Sequence, residues 1–439
     1  MKSPYEFDAS YRMLTNLVRS SIAALLLISG AIDAKATAQS TDDAAAPAAE
    51  VTGDLSASET AVSDSSDSAE DTGDQTGQTK TIQLTEAAKA ALEAYQSDSD
   101  SLKSQMMDMR ALHMLYQNGI ERNPETERLF REQRDLVRAQ LRKTFRSALK
   151  LFLNVPEKDA ATFLVTMVQN HVSNGIYDED TLQAAGYLLN AGQRQLFLLY
   201  AAGRGAVVTG DFKTARRIYE LMAEKDREKI DDAFHAQLDL LESQWIEEQE
   251  RRTKDAAGEL PRVRFETSKG TFVAELFLDE APSTVSHFIT LVEEGFYDGL
   301  DFYQVVDDLL ALTGDPGGDG SGGSGKYLID ENEREGARNG FRGSLMMAKL
   351  PAGEGAFIPN TASSQFAILF MPAPTVRETQ TVFGRVIEGM DVVSSFRRVD
   401  PNEKKGKNTL VLPPDRIFKA EVIRRPDALP SPVYYDHGR

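Results

Sequence analysis

Few residues in this chain are of the types that do covalent or metal chemistry. There is no cysteine, so neither a thiol nucleophile nor a disulfide framework is available. The five histidines, at 113, 171, 235, 287 and 437, are scattered, and none sits in a cluster spaced for a metal. The densest run of small residues is GDPGGDGSGGSG at 314–325. A phosphate-binding loop would end in Gly-Lys-Ser/Thr, whereas Lys326-Tyr327 follow here. Asp315, Asp319 and Asp330 are too loosely spaced for a calcium loop. The run therefore reads as a flexible loop, and no metal or cofactor is expected. What remains is non-covalent chemistry. Many polar side chains could serve it, and composition singles out none; Gln304, inside the apolar stretch FYQVV at 302–306, is one that can donate an amide N–H.

The elements around Gln304 follow from periodicity. Val263, Phe265 and Thr267 alternate with Arg264 and Glu266, and a second alternation runs from Thr271 to Leu276. Two period-two runs flanking Lys269-Gly270 predict a β-hairpin. Val285, Phe288, Ile289, Leu291 and Val292 lie at helical spacing, with Pro282 before them and Gly295 after, which predicts a helix over 283–294. Short strands between glycine-rich turns then continue. Physics alone reaches a β-rich barrel capped by helices.

Residues 81–256 read as helical. Asn123-Pro124 and Pro156-Glu157 are helix starts, and apolar residues from Leu129 to Phe152 recur every three to four positions. Trp245, the single tryptophan, falls on a helix from about 228 to 254. Six or so antiparallel helices would share one core. The segment GDFKTARRIYELM at 210–222 resembles the second half of a tetratricopeptide repeat, through Gly210, Phe212, Ala215 and Tyr219. One copy fits a plain helical hairpin as well as a repeat module that binds a protein partner.

The N-terminus carries an export pattern: Arg19, an apolar run at 22–32, and Ala36-Thr37-Ala38 as the cleavage site. A start at Met13 would give the signal its ordinary length. A membrane tether is expected only if the signal is left uncleaved. Residues 39–80 hold ten acidic residues against Lys80 and no aromatic residue, which predicts a disordered linker. The net charge of −19 over 439 residues argues against nonspecific nucleic-acid binding.

Residues 262–424 resemble the cyclophilins, a family of prolyl isomerases. The resemblance rests on five motifs in order: VRFETSKGTFVAELFLDEAPSTVSHFITLVEEGFYDGL, FYQVV, SSQFAILF at 363–370, VFGRVIEGMDVV at 382–393 and RIFKAEVI at 416–423. It implies a closed eight-stranded antiparallel β-barrel capped by helices; with the helical region read before it, the chain is expected to be an α+β multidomain protein, an N-terminal all-α helical bundle followed by that barrel. The expected divisions are a signal peptide at 1–38, a linker at 39–80, the helical domain at 81–256, the barrel at 261–427 and a tail at 428–439.

The resemblance also implies a site. The family's catalytic arginine falls on Gln304, and its conserved glutamine is kept as Gln365; these are the candidate catalytic residues. Substrate-facing positions fall on Phe302, Leu309, Leu310, Leu312, Ala348, Lys349, Ala367, Thr375, Val376 and Gln380. Phe302, Met347, Phe366 and Phe383 match the core. The insertion PAGEGAF at 351–357 would lie over the pocket, as a lid or as an exposed loop. Two readings follow. In one, the protein is a weak isomerase acting on X–Pro bonds of exported polypeptides. In the other it is a non-catalytic scaffold that binds proline-containing peptides or a protein partner.

Overall fold

A computed structural model describes residues 84–117, 124–155, 157–353, 356–399 and 413–436. The predicted signal peptide and acidic linker lie outside the described residues. Seven helices come first among them: α1 (Glu86–Gln117), α2 (Pro124–Asn154), α3 (Lys158–Ser173), α4 (Glu179–Asn190), α5 (Leu196–Thr209), α6 (Phe212–Leu221) and α7 (Lys229–Ala257). Their starts are written locally. The side chains of Glu157, Asp178 and Asp211 accept hydrogen bonds from the free amides of Ala160, Thr181 and Thr214 at 2.7, 2.8 and 3.0 Å. Each helix packs on the next, and α3 on α5 and α5 on α7 as well, in the manner of stacked hairpins. Gly210 ends α5 with φ +83°, and an added Cβ there would fall 2.0 Å from Trp245 Nε1. The α5–α6 turn therefore needs glycine for its backbone and for its contact with α7.

The strands follow: β1 (Arg262–Thr267), β2 (Gly270–Leu276), β3 (Gln304–Val306), β4 (Leu310–Thr313), β5 (Tyr327–Leu328), β6 (Ser344–Met347), β7 (Pro351–Gly353), β8 (Ala356–Phe357), β9 (Phe366–Leu369), β10 (Val382–Glu388), β11 (Ile417–Arg424) and β12 (Tyr434–Tyr435). Helix α8 (Pro282–Glu293) follows β2, and α9 (Met390–Ser394) follows β10. Eight strands form one antiparallel sheet in the order β11-β1-β2-β10-β6-β9-β4-β3. The α+β architecture is as expected, but the word closed is too strong, and the sheet is a half-barrel. β3 and β11 share no ladder. β3 is only three residues long, so the seam is joined by the residues before it. An isolated bridge pairs Asp301 with Arg416, and Phe302 N donates to Asp415 O at 2.8 Å.

The barrel core is aromatic. Phe265 and Phe272 stack at 4.6 Å, and Phe288 and Phe366 meet edge-on at 5.2 Å. Phe302, Met347, Phe366 and Phe383 are all buried, as the pattern required. Each contributes about 1.5–3 kcal/mol by leaving water.

The two halves meet over a charged seam. Arg338, fully buried, lies over the Phe277 ring and donates to Glu248 and Asp255 of α7 at 3.2 and 2.6 Å, and to Glu280 at 2.9 Å. Arg385 joins the same Glu248 and Asp255. Trp245 meets Phe341 edge-on at 5.1 Å. Met371, from the barrel side, is buried in the helical core.

Candidate functional site

Strand register sets the site. Val305, Ala311, Ile368 and Leu345 pair laterally and are all buried on the core face. Side chains alternate, so the neighbouring row faces the other way: Gln304, Leu312, Ala367 and Met346. At one end of this row a cleft of ≈ 470 Å³ opens, lined by Tyr303, Gln304, Leu312, Ala348, Lys349, Gln365 and the glycine-rich run.

That run is not the loose loop expected. The Asp315 carboxylate is buried and accepts from the amides of Gly317, Asp319 and Gly320 at 2.8, 3.0 and 2.6 Å. Amides that would cradle a phosphate are thus already satisfied from within the chain. Gln365 holds the run from the other side. Its Nε2 donates to Gly320 O and Gly322 O at 3.0 and 2.7 Å, and its Oε1 accepts from the Tyr303 hydroxyl at 2.6 Å. Burial pushes the Tyr303 phenol well above its usual range, with Asp315 and Asp319 adding, so it stays a donor.

The predicted site residues divide. Gln304, Leu312, Ala348, Lys349 and Gln365 meet at the cleft. Of these, Gln304 makes no side-chain hydrogen bond among the described residues and is half-buried, with its amide available. Lys349 Nζ is spent on Asp330 at 2.7 Å. Gln365 is reassigned from chemistry to support, because both ends of its amide are engaged. Phe302 is a correction: it is fully buried against Phe396 at a ring distance of 4.2 Å, so it belongs to the core and touches no substrate.

The other positions lie beside the cleft rather than in it. Leu310 pairs with Leu369, and Ala367 is buried between Leu312 and Met346. Val376 packs near Leu369 over Gly340, where an added Cβ would fall 2.5 and 2.9 Å from those two side chains. Leu309 and Thr375 are exposed. Gln380 is buried, and its Oε1 has no hydrogen-bond partner among the described residues. Of the insertion, β7 and β8 pair with each other, and Pro351, Ala352, Ala356 and Phe357 are exposed; Leu350 and Pro351 stand at the cleft rim.

Sequence reasoning missed Tyr303, Thr361, Ser363 and Tyr327, which also line the cleft. Alternation in SLMM at 344–347 was enough to place Met346 opposite the core face, paired with Ala367 outside the cleft lining, since Leu345 and Met347 point inward. Tyr303, next to Gln304, gave no such signal. Its role depends on Gln365, brought up from sixty residues further along the chain.

The family model for cyclophilin type peptidyl-prolyl cis-trans isomerases matches residues 262–422. A peptidyl-prolyl cis-trans isomerase-like 1 of Neurospora crassa is 36% identical over 167 residues, which covers 38% of this chain and 96% of that protein. This chain belongs to the cyclophilin-type isomerase family through its C-terminal part. A peptidyl-prolyl cis-trans isomerase of Schizosaccharomyces pombe is 38% identical over 168 residues, covering 37% of this chain and all of that protein. Among solved structures, a Cryptosporidium parvum cyclophilin type isomerase is 27% identical, covers 38% of this chain and 99% of its own, and has a TM-score of 0.32. The cyclophilin domain thus accounts for the sheet, α8 and the cleft, while α1–α7 lie outside the match.

Proposed function

We propose that the cyclophilin domain binds X–Pro segments in the cleft beside Gln304 and isomerises them slowly. The observation that carries this reading is Gln304 itself, an uncommitted neutral donor at the arginine position, facing the cleft. Rotation about X–Pro is opposed by a barrier of roughly 18–20 kcal/mol, because the twisted state loses amide conjugation. The proline nitrogen then becomes basic, and a donor aimed at it stabilises that state. An amide gives about half the bond strength of a charged donor. Loss of a main transition-state donor costs on the order of 10²–10³ in rate. No arginine lines the cleft among the described residues, and its single cation, Lys349, is held by Asp330.

The test is a protease-coupled isomerase assay on the chain with α1–α7 present, since the barrel buries Arg338 and Arg385 against α7. The expected result is turnover above the uncatalysed rate but roughly 10²–10³ below an arginine-bearing cyclophilin. A rate typical of the family would overturn the assignment of Gln304. The second reading, a binding scaffold without turnover, is favoured by the full engagement of Gln365 in the loop. Peptide binding with no acceleration would select it. The signal-like features at 19–38 support export, so the clients would be exported polypeptides. N-terminal sequencing of native protein should then begin near Gln39. The stacked hairpins of α1–α7 support a role in holding a protein partner, which a pull-down with the whole chain carrying Met107→Ser and Leu136→Ser, at exposed apolar positions of α1 and α2, would test by loss of capture.

A further inference from the structure

The chain after β11 does not trail away. Leu429 packs against the barrel core, and β12 returns to pair with β5, Tyr434 opposite Leu328 and Tyr435 opposite Tyr327. Val433 is tied to the start of α8: its amide donates to Ser283 Oγ at 2.7 Å, and its carbonyl accepts from the same hydroxyl at 3.1 Å. This segment lies beyond the family match, which ends at 422.

Its contacts lead to the cleft. The Tyr434 hydroxyl is 3.1 Å from His287 Nδ1, and His287 Nε2 is 3.2 Å from Ser324 Oγ. Ser324 Oγ is 3.0 Å from Ser363 Oγ, and Ser324 N donates to Ser363 Oγ at 3.1 Å. Ser363 lines the cleft. A hydrogen-bonded chain thus runs from the C-terminal segment to the cleft wall through one buried imidazole. On the other side of Tyr434, Lys326 Nζ sits 5.1 Å over its ring. Lys326 precedes Tyr327, which also lines the cleft and pairs with Tyr435.

We propose that residues 433–435 form a strap that positions the Ser324–Tyr327 wall of the peptide cleft, with Tyr434 as its pin. The glycine-rich run needs such a pin. Gly318, Gly320 and Gly325 have positive φ, and a segment so rich in glycine loses much backbone freedom when ordered. Asp315 and Gln365 hold the run as far as Gly322, whereas Ser324 to Tyr327 depend on the Ser324 contacts and on β5–β12 pairing. The consequence for peptide binding rests on the cleft being the X–Pro site.

Three variants of the otherwise whole chain test this: one ended after Ser431, Tyr434→Ala and Tyr434→Phe. Amide exchange at Ser324, Leu328 and Ile329 is read together with binding of an Ala-Pro-containing tetrapeptide. Truncation and Tyr434→Ala should each speed exchange at Ser324 at least tenfold and weaken the peptide several-fold. Tyr434→Phe keeps the ring under Lys326 and should fall between them and wild type. Unchanged exchange at Ser324 in both truncated and Tyr434→Ala chains overturns the strap. If the unaltered chain binds no proline peptide, the reading of the cleft falls, and the exchange comparison still decides the strap.

Discussion

Arg204 of α5 is the contact through which the helical domain reaches the hairpin that carries Gln304, and removing it has a calculable cost. Its guanidinium is buried over the Tyr200 ring and makes paired bonds to Asp231, Nε to Oδ1 at 2.9 Å and Nη2 to Oδ2 at 2.8 Å. It also reaches Glu228 at 2.8 Å and, across the seam, Asp308 at 3.2 Å. Asp231 is fully buried. Arg204→Met keeps the volume but leaves that carboxylate without its cation. Breaking a buried pair from one side costs about 3–5 kcal/mol. In a domain of this size the melting temperature should fall by roughly 6–20 °C. Arg204→Met with Asp231→Leu removes both members of the fully buried pair and should recover most of the loss, apart from the bond Asp231 accepts from the Glu228 amide and the contact Asp308 loses. Asp308→Asn is the contrast. Burial holds the Asp308 carboxyl above its usual range even though Arg204 pulls the other way. Asparagine also tolerates its φ of +53°. That variant should lie within about 1 kcal/mol of wild type. Thermal and urea unfolding followed by circular dichroism measure all four chains. If Arg204→Met melts like wild type, or the double variant is worse than the single, the buried pair is not what holds α5 in place.

Gln304→Arg alone should raise isomerase activity by a part of the missing 10²–10³, measured in the coupled assay; no gain would mean that the deficit lies in the pocket. Ala367→Phe, which refills a family pocket position, should cost about 1–3 kcal/mol because Ala367 is buried beside Met346. Shortening Met346 to Ala in the same chain should recover that loss in urea midpoints. Burial, with Lys326 adding to it, pushes the His287 imidazole down from 6.5 to about 4. A depressed folded value means its contribution is present above pH 6.5 and is lost as the pH falls through about 4. Ser324 exchange should therefore quicken over that window, and His287→Gln should flatten the dependence. Gly340→Ala forces a Cβ to within 2.5 Å of Val376 and 3.1 Å of the Ala373 carbonyl, so it should destabilise the chain by about 1–3 kcal/mol by chemical denaturation.

The hairpin, α8 and the aromatic core were legible because each depends on short-range periodicity. Alternation over Val263–Thr267 and helical spacing over Val285–Val292 choose their structures before any long-range contact forms. The start of α3 was legible for the same reason, as Glu157 caps an amide three residues on, whereas the caps Asp178 and Asp211 were not read. Position 304 could be located because the motif around it is continuous in the chain. What each site residue does was decided in three dimensions. Phe302 and Tyr303 are neighbours in sequence, yet one is in the core and the other braces Gln365. The alternation allows that split, but which face is core depends on pairing with strands far away. Gln365 became support only because the fold returns Gly320 and Gly322 to its amide. At the half-barrel seam the free edge of β3 is likewise met by a distant segment, with Val399 bridging Val305. The C-terminal residues, which read as a tail, became β12 only because β5 offered an edge and His287 a partner. Local order follows from local sequence; the assignment of donors and acceptors follows from which distant segments arrive beside them.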